Sequence, residues 1–126
     1  MKFTNGFWLL REGVSLSKAV QLQKVEHDNH KLELLYATKK IEHRGNTLNI
    51  GTVGVEVDSP LADVIRLKVT HLKGARTPLR FNLSEDKPAI KVAEADGAVS
   101  FSSGNLTAKF SEEFGIEWSG HGNKFA

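Results

Sequence analysis

The sequence predicts an all-β chain folded as an antiparallel β-sandwich. Three observations predict it. Apolar residues recur at every second position in runs of four to six residues. Gly, Asn, Asp, Ser and Pro separate those runs. No long segment holds a clean helical period. Period-two runs broken by turn residues are the sequence form of half-buried antiparallel strands. Two such sheets facing each other make a sandwich. A chain of 126 residues suits a single domain, and one of that size buries roughly two thirds of its unfolded surface, enough for a core without covalent staples.

In chain order, Val20–His27 and Lys31–Lys40 read as a hairpin around Asp28-Asn29, since both turn residues tolerate left-handed backbone. Lys31–Lys40 has two readings. Leu32, Leu35 and Tyr36 fit a helix; Leu32, Leu34 and Tyr36 fit a strand. The short length and the turn in front favour the strand. Leu48, Ile50, Val53, Val55 and Val57 form an interrupted alternating run. Leu61–Leu72 has a helical reading at positions 61, 64, 65 and 72, but Val64, Ile65, Val69 and Thr70 are β-branched and favour strand. Asp96-Gly97 predicts a tight turn between Ile90–Glu94 and Val99–Ser102, and Ser103-Gly104-Asn105 another before Leu106–Phe110. Phe114, Ile116 and Trp118 close the series. The polar, Gly-rich segment Ser119–Ala126 reads as turn or loop. The expected total is eight to ten strands with no helix.

Composition excludes several function classes. The chain has no cysteine, which removes disulfides, Cys-based zinc sites, iron–sulfur clusters and thiol nucleophiles. Lys and Arg number 17 against 15 Asp and Glu, too even a balance to point to nucleic acid. The apolar run Phe7-Trp8-Leu9-Leu10 is stopped by Arg11-Glu12, too short for a secretory signal or a membrane span. The expected setting is cytoplasmic. The sequons Asn82-Leu83-Ser84 and Asn105-Leu106-Thr107 are then chance matches.

Four groups are candidates for chemistry. His27-Asp28-Asn29-His30 pairs two imidazoles around a carboxylate, as a metal site would, but it supplies no further ligand and reads equally as a polar hairpin turn. Glu42-His43-Arg44, beside Lys39 and Lys40, sets a His next to a carboxylate and a guanidinium; the alternative is a solvated loop or strand edge. No Gly-x-Ser-x-Gly elbow provides a nucleophile, and Gly51-Thr52-Val53-Gly54 lacks the spacing and the Lys of a phosphate loop. The carboxylates Asp58, Asp63, Glu85, Asp86, Asp96, Glu112 and Glu113 mostly fall in expected turns. Among the aromatics, Phe3, Phe7, Tyr36, Phe81, Phe101, Phe110, Phe114 and Trp118 lie in strand patterns and suit a core. Trp8 and Phe125, near the chain ends, are the candidates for exposed rings. No catalytic, cofactor or metal residue is assigned, and no cofactor is expected.

Several segments taken together resemble the start of the bacterial α-xylosidases of glycoside hydrolase family 31. They are Asn5-Gly6-Phe7-Trp8-Leu9-Leu10, Ser59-Pro60, Val64–Ala75 and Phe101-Ser102-Ser103-Gly104-Asn105-Leu106-Thr107-Ala108. Their order and rough spacing agree across nearly the whole chain, and Ser103-Gly104-Asn105-Leu106 is the closest local match. The resemblance implies a galactose mutarotase-like β-sandwich placed before a catalytic (β/α)₈ barrel. It implies a retaining enzyme with an Asp nucleophile and a second carboxyl group as acid/base. In the family that nucleophile lies in a Trp-x-Asp-Met context, which neither Trp8 nor Trp118 matches. A barrel takes about 200 residues or more, and none follow Phe125-Ala126. The family's N-terminal module is also larger than this chain, which implies a truncated sandwich.

The resemblance therefore implies a non-catalytic N-terminal segment whose partners are the barrel of its parent chain and an α-xyloside or related oligosaccharide bound there. It implies support of the barrel, its active-site rim and a homo-oligomer formed through sheet edges. It implies no nucleic acid and no membrane. A freestanding carbohydrate-binding module and a β-sandwich protein-interaction domain are the alternatives.

Overall fold

Alternation along Lys31–Ala37 puts Leu32, Leu34 and Tyr36 on one side of a strand, and all three are buried. The computed structural model describes residues 12–48, 50–71 and 84–126. Within them the chain forms nine strands: β1 (Gln21–His27), β2 (Lys31–Ala37), β3 (Thr52–Asp58), β4 (Arg66–Thr70), β5 (Ile90–Ala95), β6 (Ala98–Ser103), β7 (Leu106–Phe110), β8 (Ile116–Gly120) and β9 (Asn123–Lys124). They make two antiparallel meanders, β1-β2-β3-β4 and β5-β6-β7-β8-β9. The strands of each sheet follow one another in sequence, and the sheets face each other as a β-sandwich.

The core lies between the middle strands. Leu32, Leu34 and Tyr36 of β2 sit opposite Val57, Val55 and Val53 of β3. From the other sheet come Val99 and Phe101 of β6 and Ala108 and Phe110 of β7. Large and small residues alternate across that sheet: Phe101 is opposite Ala108, and Ala108 is opposite Trp118. Ala108 leaves room for the two rings beside it. Full burial of each Leu, Val or Phe is worth about 1.5–3 kcal/mol.

Tyr36 carries the one polar group on the apolar face of β2. Its hydroxyl donates to the carbonyl of Ser111 at 2.9 Å. Its ring meets Phe114 edge-on, with centroids 5.0 Å apart, a favoured aromatic geometry. Leu22 N–H donates to Glu112 O nearby. Together these tie the first sheet to the β7–β8 connection.

The expected hairpins are present with turn-specific backbone. Asp96 and Gly97 both have positive φ, the type I′ pattern. At the β6–β7 turn only Gly104 does, the type II′ pattern. The strand reading holds for Lys31–Ala37, and the chain leaves the sheet at Thr38. Phe101 and Phe110 are buried, and Trp118 packs partly buried against the core. Phe3, Phe7, Trp8 and Phe81 lie outside the described residues.

Several expectations need correction. Among the described residues one helical turn, a 3₁₀ segment at Arg44–Thr47, interrupts the all-β pattern. Leu48 closes that turn and is 76% exposed, so the strand begins only at Thr52. Leu61–Leu72 is not one strand. Val64 N–H bonds Leu61 O, Asp63 takes φ 62°, and pairing starts at Arg66; Leu72 lies outside the described residues. Phe114 is a turn residue with φ 53°, held between Ser111 and Gly115, which hydrogen-bond each other. Ser119–Ala126 is a closing hairpin, not a loop: β8 continues to Gly120, the chain reverses at His121-Gly122, and β9 pairs back.

Burial pushes the Tyr36 phenol up to about 12 from 10.0. The unfolded chain therefore releases this proton first. The stability it contributes is intact below pH 10.0 and is lost as pH rises toward about 12. Tyr36 is the sole tyrosine, so phenolate absorbance reports it alone. The expected midpoint is near 12 in the native chain and near 10 in denaturant. Equal midpoints would contradict its burial.

Candidate functional site

The His27–His30 segment is built as a turn. The Asp28 carboxylate accepts from His30 N–H at 2.7 Å and Lys31 N–H at 2.9 Å, while Asp28 N–H donates to Lys31 O. These backbone donors hold its carboxyl below the usual range. His27 Nε2 lies 3.9 Å from Glu94 on β5. Among the described residues, no three His, Asp or Glu side chains are placed to hold a metal ion.

Glu42-His43-Arg44 leads into the 3₁₀ turn and caps it. His43 Nδ1 accepts from Gly45 N–H at 3.1 Å, and Asn46 Oδ1 accepts from the N–H groups of His43 and Glu42. This is a reciprocal cap with imidazole as acceptor. With Nδ1 accepting, the neutral ring carries its proton on Nε2. The segment is a solvated loop, and its imidazole serves the backbone. Gly51 ends that loop, its carbonyl taking the N–H and the hydroxyl of Thr38. Gly54 sits inside β3.

The carboxylates fall into structural roles. Arg66 donates Nε and Nη2 to the two oxygens of Asp58, at 2.8 and 2.5 Å, and Nη1 to Glu85 at 2.7 Å. Both carboxylates raise its pKa further. The guanidinium thus spans Asp58 and Glu85, and all three side chains stay partly exposed. Asp96, Glu112 and Glu113 sit in turns. Asp86 N–H donates to Pro60 O.

The densest polar constellation was not singled out as a site by sequence reasoning. It ties the loop after β3 to the β6–β7 turn. Ser59 and Ser103 are both buried, with hydroxyl oxygens 2.6 Å apart. Ser59 donates to Leu61 O at 2.7 Å. A hydroxyl has one proton, so Ser103 is the donor of the shared bond. Asp63 Oδ1 accepts from Asn105 N–H at 2.6 Å. It also occupies the place where a Cβ on Gly104 would stand. Gly104 is thus required twice: by its positive φ of 57° and by the carboxylate against its Cα. Both buried hydroxyls in this clasp have a partner inside the protein. The clasp holds two sheets together.

The outer face of the first sheet carries an open depression of about 380 Å³. Gly54 and Leu35 line it, beside a cross-strand row of Glu26, Glu33, Glu56 and Lys68. Lys24 pairs with Glu26 and Lys31 with Glu33, both at 2.8 Å. No aromatic ring lines it. Phe125 is 64% exposed, as expected. Its N–H bonds Trp118 O, and its ring lies against Gly120. No helix among the described residues is long and apolar enough to cross a membrane.

The chain is 42% identical over 74 residues, 59% of its length, to an α-xylosidase of Emericella nidulans. It is 27% identical over 124 residues, 97% of its length, to the α-xylosidase XylQ of Lactiplantibacillus pentosus. The chain is related to α-xylosidases. It spans 9% and 16% of the length of these two relatives. No protein-family model matches it. Of the clasp residues, Ser59, Ser103, Gly104 and Asn105 lie in segments that carry the resemblance, and Asp63 does not.

The clasp makes an asymmetric prediction. Ser59→Ala leaves the buried Ser103 hydroxyl without its acceptor, a loss of about 1–3 kcal/mol. Ser103→Ala removes a donor and leaves Ser59 bonded to Leu61 O, so the loss is smaller, about 1 kcal/mol. Urea denaturation of the two variants checks this order. Ser103→Ala being the more damaging would reverse the assigned direction of the bond.

Proposed function

We propose that the chain is a non-catalytic β-sandwich module from the N-terminal region of a retaining α-xylosidase of glycoside hydrolase family 31. The observation that carries this reading is the pairing of coverage figures. The match to XylQ takes in 97% of this chain yet only 16% of that protein. The arrangement of polar groups agrees with it. The carboxylates Asp58, Asp63 and Glu85 are engaged by Arg66 and by backbone N–H, and His43 caps a helical turn.

On this reading the sandwich is of the galactose mutarotase-like type and packs beside a catalytic barrel, where it supports the barrel and shapes the rim of its active site. The barrel carries the carboxylate pair and binds the α-xyloside. Oligomerisation through sheet edges and a cytoplasmic setting belong to the same proposal. An isolated carbohydrate-binding module grips sugars on exposed rings; the depression here has none, and Trp118 packs on the core.

Two assays test the proposal. The chain alone should not turn over a chromogenic α-xyloside, and calorimetric titration with xylose-bearing oligosaccharides should be flat. A chimera in which this chain replaces the matching segment of XylQ should retain turnover. Turnover by the chain alone, or an inactive but folded chimera, would overturn the reading.

A further inference from the structure

We draw no further inference here: the strongest candidate, the depression across the outer face of the first sheet where Leu35 and Gly54 lie beside Glu26, Glu33 and Glu56, carries nothing because its acidic row is matched by Lys24, Lys31 and Lys68 and nothing in the structure shows what covers it.

Discussion

Neither sheet of this protein can stand in water alone, and that constraint organises everything else. Each is a meander with one apolar face, built on Leu32, Leu34, Tyr36, Val55 and Val57 in the first and Val99, Phe101, Ala108 and Phe110 in the second. Burial is non-directional. It drives the faces together without fixing their relative position. The polar ties fix it. Tyr36 and Leu22 bond the β7–β8 connection, and the Ser59–Ser103 and Asp63–Asn105 contacts secure the β6–β7 turn. Arg66 adds the segment before β5 through Glu85. A shift of one sheet over the other would strand buried hydroxyls, which costs more than their bonds return.

Two of the four segments that carry the resemblance to α-xylosidases contribute residues to this same clasp. Ser59-Pro60 and Ser103-Gly104-Asn105-Leu106 are far apart in sequence and meet in the fold. Each residue type has a mechanical reason. A small hydroxyl fits a buried inter-sheet contact, and a residue without Cβ lets the Asp63 carboxylate reach the turn. A non-catalytic role is consistent with that, and the small share of each relative's length that the chain spans is consistent with it too.

The strand pattern was legible wherever one face is buried and the turn residues announce themselves. Asp96-Gly97, Ser103-Gly104-Asn105 and Asp28-Asn29 marked their hairpins correctly, because positive φ and side-chain-to-backbone bonding select those residue types. The misreadings have two causes: partners distant in sequence, and local turns that alternation does not encode. Val64 and Ile65 have strand propensity, yet Asp63 takes left-handed backbone because its carboxylate is held by Asn105 N–H, 42 residues away. Phe114 accepts φ 53° while its ring is seated against Tyr36. The 3₁₀ turn rests on His43 and Asn46 capping each other, a reciprocal pairing that alternation cannot express. Ser119–Ala126 looked too polar and Gly-rich for a strand, yet the backbone of Trp118 bonds Phe125 and Ala126 and closes the hairpin. Site reasoning was legible only in part. The sequence clusters around His27 and His43 proved to be turn and cap, while the clasp joins Ser59 to Ser103 across 44 residues of sequence, beyond the reach of local patterning.

Asp63 and Gly104 interlock across the sheets. A double-mutant cycle on stability tests this interlock most directly, using Gly104→Ala, Asp63→Gly and the pair. Gly104→Ala alone should cost about 1–2 kcal/mol for left-handed backbone, plus about 1 kcal/mol for the displaced Asp63–Asn105 bond. In the Asp63→Gly background only the backbone cost should remain, giving a coupling of about 1 kcal/mol, within the range for residues in contact. Strictly additive effects would mean that the two residues do not meet and would contradict the account.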